Sequence, residues 1–318
     1  MAHELSIEKG KAEMVSGRGI TPWHGLGTVV SGLMTTQAAI EAAHLGWNVE
    51  LKPIYVDGRI VEDNKATVRS DNGRVLAIVG NRYEIIQNST AFEFFDEVLG
   101  AGQAYMDTAG ALKGGRRVWM SANVPGKLFL KSNPSDTVEK YILLHTSHDG
   151  SSGMTVQIVS TRVVCANTLS VAMRGASNVY TVRHTRNANA KVEEAQRVMG
   201  LVNGYYSKLD EVIQILDQQA MSKGEMVSFA EKLFPSSKEE ISTRNNNIRS
   251  TVVDLFSNGR GNNGKTRYDA LNAVTDFVTH SRATRGAEGD DKDENRFASS
   301  VFGSGMALTQ KAFNLLVA

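Results

Sequence analysis

The chain has 318 residues, of which 41% are hydrophobic and 22% charged, and its formal net charge is +1. These values describe a soluble globular protein long enough to bury a core without covalent staples, in one large domain or two ordinary ones. A single cysteine, Cys165, excludes an intramolecular disulfide and a thiolate-rich metal site. With no apolar run of about 18 residues and no apolar leader, the expected location is the cytoplasm.

In chain order, residues 1–20 are polar and carry Gly10, Gly17 and Gly19, which predicts an arm over the surface. Thr21-Pro22-Trp23-His24-Gly25-Leu26-Gly27 sets glycines beside a large aromatic, a pattern for a tight backbone path in which Trp23 is either packed or a stacking platform. Thr35 or Thr36 caps a short helix over residues 37–45, and residues 47–56 alternate as a strand. Asp71-Asn72-Gly73 joins strands at 65–70 and 74–79 in a hairpin, and 83–87 is strand-like. Asn88, Ser89 and Thr90 offer caps for a helix through Phe92, Phe94, Phe95 and Val98, whose aromatic run covers a sheet. Strands at 104–112 and 117–124 flank Lys113-Gly114-Gly115-Arg116. Strands at 138–145 and 154–165 flank a turn over 146–150, so the middle of the chain predicts an antiparallel meander. A helical turn at 168–173 and a last strand at 180–184 follow.

From Lys191 the period changes. Val192, Ala195, Val198, Val202, Tyr205, Leu209, Val212 and Leu216 step by threes and fours, as one face of a long helix does. Ser222-x-x-Glu225 and Ser237-x-x-Glu240 have capping-box spacing. Thr266 caps a helix over 267–280, and another spans 308–317. Residues 285–295, glycine-rich and then acidic, read as a solvated loop. The fold class is therefore α+β: an antiparallel β-rich core over 1–190 and a helical region over 191–318.

Charge is segregated along this chain. Residues 100–191 hold eleven Lys/Arg against four Asp/Glu, a local balance of +7 inside a nearly neutral whole. Lys113, Arg116 and Arg117 cluster at a glycine turn where backbone can approach a ligand closely. Arg162, Arg174, Arg183 and Arg186 follow, interleaved with Tyr105, Trp119 and Tyr180. Cations along strand edges with aromatics between them suit the phosphates and bases of a single strand, although ordinary solvated charge accounts for any one of these residues.

Gly259-Arg260-Gly261-Asn262-Asn263-Gly264-Lys265-Thr266 fits the phosphate-loop pattern G-x-x-x-x-G-K-T. A nucleotide site of that kind needs a buried strand before the loop and acidic strands after it. Here the preceding residues read as helix and only helix follows, so a basic loop touching phosphate through Arg260 and Lys265, or a plain linker, is the better reading. His145-x-x-His148-Asp149 lacks a third ligand for a metal and reads as a polar hairpin tip. Cys165, in an apolar strand, reads as an inert buried thiol.

Nearly the whole chain resembles the phage/plasmid-like proteins, a family of phages, prophages and plasmids without an assigned activity. The resemblance rests on Thr21–Gly27, on Gly114-Gly115-Arg116, on Arg162-Val163-Val164-Cys165-Ala166-Asn167-Thr168, and on Asp269-Ala270-Leu271-Asn272-Ala273-Val274-Thr275 with His280. The last motif usually carries a tyrosine and an aspartate where this chain has Phe277 and Thr279. The resemblance implies a mobile-element setting in a bacterial host and supplies no catalytic residue. Together these readings call for no cofactor and single out no catalytic residue, which favours a non-enzyme while leaving an enzyme open. The protein's expected task is binding nucleic acid, with single-stranded DNA favoured, during recombination or replication, as an annealing-type homo-oligomer. The contact residues expected are Lys113, Arg116, Arg117, Arg162, Arg174, Arg183, Arg186, Arg260 and Lys265. The alternative is an interaction protein that binds and blocks a host protein.

Overall fold

Alternating apolar residues in the first half form strands and the three-to-four spacing in the second half forms helices, so the chain is α+β. A computed structural model describes residues 6–8, 10–17, 27–102, 104–162, 167–181, 188–235, 243–283 and 299–318. These divide into two compact units. One comprises Met1–Pro125, Tyr141–Ile158 and Val179–Val202; the other comprises Gly126–Lys140, Val159–Asn178 and Asn203–Ala318.

The first unit begins with β1 (Ile7–Glu8), β2 (Lys11–Ala12), β3 (Met14–Ser16) and β4 (Thr28–Val29). The expected surface arm is here a piece of the core. Val15 is fully buried, and β3 pairs antiparallel with β8 (Tyr105–Leu112) and parallel with β4. The Met14-Val15 dipeptide is too short to show a period, yet it is apolar enough to hold an interior place. Helix α1 (Thr36–Ala42) starts at Thr35, whose hydroxyl accepts from Ala38 N. Strands β5 (Val49–Val56), β6 (Arg59–Arg69) and β7 (Val75–Gly80) form a separate antiparallel sheet in that order. The β6–β7 turn is the expected Asp71-Asn72-Gly73. The β5–β6 turn, Asp57-Gly58 with φ of +49° and +74°, went unread in the sequence.

Residues 83–87 are not a strand. The Gln87 side-chain amide bonds both the N–H and the C=O of Val49 at 2.9 and 2.8 Å, taking the place of a neighbouring backbone. Helix α2 (Asn88–Gly102) follows and buries Phe92, Phe94 and Phe95. Full burial of each such ring is worth roughly 1.5–3 kcal/mol. The meander then forms as expected. β8 pairs with β9 (Arg117–Phe129), and the order continues through β10 (Thr137–Ser147) to β11 (Thr155–Arg162).

In the second unit the expected helical turn at 168–173 is instead β12 (Asn167–Leu169), antiparallel to the end of β11. In the first unit β13 (Val179–Thr181) pairs with Thr155–Gln157 of β11. Residues 203–218 of α3 (Ala188–Gln218) give the second unit Tyr205, Leu209, Ile213 and Leu216, none more than 1% exposed. Tyr205 and Tyr206 donate their hydroxyls to Val171 O and Val159 O, each at 2.7 Å. Helix α4 (Lys223–Leu233) carries the expected Ser222–Glu225 capping box, and α5 (Thr243–Asn258) stops before the glycine loop. Helix α6 (Arg267–Asp276) is buried from Tyr268 to its end, polar Asp269, Asn272, Thr275 and Asp276 included. It continues as a π-helical turn, Phe277–Ser281, and α7 (Ser304–Val317) packs on it. Among the described residues no helix is long and apolar enough to cross a membrane. The Trp23 motif, Cys165, Ser237 with Glu240, and the acidic stretch 285–295 lie outside the described residues.

Candidate nucleic-acid interface

The β8–β9 turn is where the sequence placed its first basic cluster, and its backbone is unusual. Lys113, Gly114 and Gly115 all take positive φ, at +55°, +70° and +96°, before Arg116 returns to the right-handed region. A side chain at Gly115 would stand 2.9 Å from Arg69 Nη1 and 3.0 Å from the Trp47 ring, so only glycine fits there. At Gly114 it would meet the Arg74 side chain.

What holds the turn is a buried ion network that the sequence reading did not find. The Arg69 side chain is fully buried. Its Nε donates to Asp71 Oδ1 at 3.0 Å and its Nη2 to Asp71 Oδ2 at 2.8 Å. Nη1 and Nη2 donate to the two Glu13 oxygens at 2.9 and 2.6 Å. Nη1 also donates to Gly114 O at 3.3 Å. These bonds use the whole donor fork of a guanidinium. Its flat face lies 4.1 Å from the Trp47 ring centroid, and Trp47 Nε1 donates to Glu13 Oε1 at 3.1 Å. Burial alone weakens the Arg69 cation, but the bonds from Glu13 and Asp71 outweigh it and hold the group further above its ordinary value. The Arg69 bond in turn holds Asp71 below the usual carboxylate range. Asp71 sits beside a turn that the sequence announces. Glu13 gives no local sign of its partner, since its pairing depends on β3 entering the sheet.

Behind the turn, His148 N donates to Arg116 O at 2.8 Å. The His148 ring is buried edge-on to Trp47, with centroids 5.5 Å apart. Asn88 Nδ2 donates to Leu45 O and Trp47 O, which fixes Asn88 Oδ1 as the acceptor facing His148 Nε2 at 2.9 Å. The proton of the neutral ring is therefore on Nε2, and the buried Nδ1 meets no partner among the described residues. Burial, with Arg69 adding to it against the pull of Asp149, pushes His148 down to about 4. Burial and the Arg117 cation push His145 down to about 4 as well. Among the described residues no cluster of three His, Cys, Asp or Glu could hold a metal, and both rings of the pair expected at a polar hairpin tip are buried, His145 within β10.

Lys113 and Arg116 are exposed at this turn, and Arg117 is half-buried near His145 and Asp149. Arg74 beside Gly114 pairs with Glu8 at 3.1 Å. The surface is thus cationic with acidic neighbours, and its outward charge rests on Lys113 and Arg116. Of the interleaved aromatics, Tyr105 is exposed and Tyr180 half-buried. Trp119 is 3% exposed, so it packs in the sheet and cannot stack on a base.

The remaining basic residues lie elsewhere. Arg174 is exposed in the second unit's Met173–Ala176 turn, where its carbonyl accepts from Lys208 Nζ. Arg162 ends β11, and its side chain is outside the described residues, as are Arg183 and Arg186. Arg260 and Lys265 are exposed between α5 and α6. That loop has the spacing of a phosphate loop with three of its amides turned to one carboxylate. The Asp269 carboxylate accepts from Asn263 N, Lys265 N and Thr266 N at 3.3, 3.0 and 3.2 Å, and Thr266 Oγ1 accepts from Asp269 N. A helix precedes it instead of a strand. The motif serves as a helix cap, and three of the amides that a phosphate loop would offer face a buried aspartate.

Fold and turn together define an α+β protein that displays a pre-shaped cationic β-turn. The chain belongs to the family described as Domain of unknown function (DUF932), which it matches over residues 75–301, well over half its length. No curated protein and no solved structure matches it.

Proposed function

We propose that this is a nucleic-acid-binding protein of a phage or other mobile element, acting on single-stranded DNA in recombination or replication. The observation that carries the reading is the β8–β9 turn: Lys113 and Arg116 stand exposed on a backbone that the buried Arg69–Glu13–Asp71 network fixes. Cations on a fixed frame lose little freedom when they meet phosphate, which favours binding. The +7 balance of residues 100–191 supports the same reading, and exposed Tyr105 on β8 offers a face for a base. Arg174, Arg260 and Lys265 are further exposed cations available to a backbone in the second unit. Neither a cofactor nor a catalytic group enters this mechanism, since phosphate neutralisation and stacking suffice for annealing.

The test is fluorescence anisotropy of nuclease-treated protein with labelled single- and double-stranded oligonucleotides. The reading expects tighter binding to the single strand, weakening steeply with salt. Absence of binding at low salt removes it.

A further inference from the structure

Two arginines of the β6–β7 hairpin meet two glycines of the β8–β9 turn, and only one of them is spent on structure. Arg69 lies against Gly115 with its donor fork full. Arg74 lies across Gly114, where any side chain would strike its Nη1, Cδ and Cζ. The bare Cα of Gly114 thus seats another cation beside Lys113 and Arg116. The Arg74 backbone is fixed, since its N–H donates to Asn72 Oδ1 and its carbonyl accepts from Arg69 N, each at 2.9 Å. Yet its side chain is 47% exposed, and among the described residues its five N–H groups make no hydrogen bond.

What Arg74 has instead is one contact of charge. Glu8 Oε1 stands 3.1 Å from Arg74 Nη1, and this buried oxygen accepts no hydrogen bond among the described residues. The chain around Glu8 holds it there. Ser6 N donates to Ala111 O at 2.8 Å and Ala111 N donates to Glu13 O at 3.0 Å, so the β1–β2 ribbon is fastened at both ends to the last residues of β8, next to the turn. Lys11 lies directly opposite Glu8 on β2.

A part-exposed ion pair out of line for a hydrogen bond contributes little to stability and weakens with salt. A buried carboxylate oxygen without a donor costs stability. Folding therefore gives this pair no evident reason. A phosphodiester offers Arg74 what Glu8 does not, two oxygens matched to the planar fork of a guanidinium.

We propose that Arg74 is a third phosphate contact of this site and that Glu8 is its built-in competitor, displaced by the incoming phosphate. The inference rests on the nucleic-acid reading of the turn. Single-strand affinity is measured by anisotropy at low salt and across a salt series for wild type, Glu8→Gln, Arg74→Ala and the double variant, with circular dichroism checking that each is folded. Glu8→Gln keeps the shape, removes the charge and should tighten binding about threefold, the scale of one exposed ion pair. Arg74→Ala should weaken binding and lower the magnitude of the slope of log affinity against log salt by about 0.7. In the Arg74→Ala background the gain from Glu8→Gln should vanish, because it acts through the arginine. A gain that persists there is a general effect of removing an acid and overturns the proposal, and so does the absence of any gain from Glu8→Gln alone. Both of those outcomes leave single-strand binding itself standing, whereas a wild type that binds no oligonucleotide removes the reading beneath the proposal as well. The Arg74 Nε–H resonance of the wild type, followed as oligonucleotide is added, needs no variant: it should shift on binding, and a signal that stays in place overturns the proposal.

Discussion

Arg69 shows why one residue can govern a surface it never reaches. Removing it leaves Glu13, itself 1% exposed, as a buried charge without its guanidinium. Breaking a buried pair from one side costs about 3–5 kcal/mol, so Arg69→Met is expected to lower the urea midpoint by that equivalent. A change well under 1 kcal/mol would show that the network is not what holds the turn. His148 and His145 yield a pH prediction. Their folded values, about 4, lie below the ordinary 6.5, so the folded state favours the neutral rings. The stability this contributes is fully present above pH 6.5 and is lost as pH falls from 6.5 through about 4, up to roughly 3 kcal/mol per ring. Urea midpoints measured from pH 7 to pH 4.5 should fall over that window. In His148→Gln the fall should be shallower, and an unchanged slope would contradict the assignment.

Among the elements, two turns and one cap invite substitution. Gly115→Ala sets a methyl against Arg69 and Trp47 at a φ that alanine avoids, and should cost about 2 kcal/mol of stability. Asp269→Ala removes the acceptor shared by three loop amides and half of the capping box, and should cost about 1–2 kcal/mol by thermal unfolding. Lys265→Ala removes only an exposed side chain and keeps the backbone N–H that bonds Asp269, so it should leave stability unchanged, and neither change should create or abolish nucleotide hydrolysis. What the sequence showed and hid follows from the range of the signals. Asp71-Asn72-Gly73, Ser222-x-x-Glu225, Thr266 and the long α3 period are local and legible. β3 was hidden because three residues carry no period, β12 because Asn167–Leu169 becomes a strand only through its pairing with β11, and the 83–87 stretch because a Gln87 side chain imitates a strand's bonds. The cationic site was half legible. Lys113 and Arg116 could be picked out from composition, while the Glu13–Arg69 pair that shapes their turn joins positions 56 residues apart.

Taken as a whole, the molecule keeps its formal charge near zero while setting its cations on particular loops. Lys113, Arg116 and Arg117 belong to the first unit, and Arg174, Arg260 and Lys265 to the second. Membership of the DUF932 family gives the fold its relatives and leaves the activity to be argued from such sites. The most direct measurement is the salt dependence of single-strand binding for wild type and for Lys113→Ala/Arg116→Ala, both exposed positions whose loss spares the core. If both residues meet phosphates, the slope of log affinity against log salt should fall in magnitude by about 1.4, and affinity at low salt should fall with it. Wild-type affinity and slope retained in the variant would contradict the account.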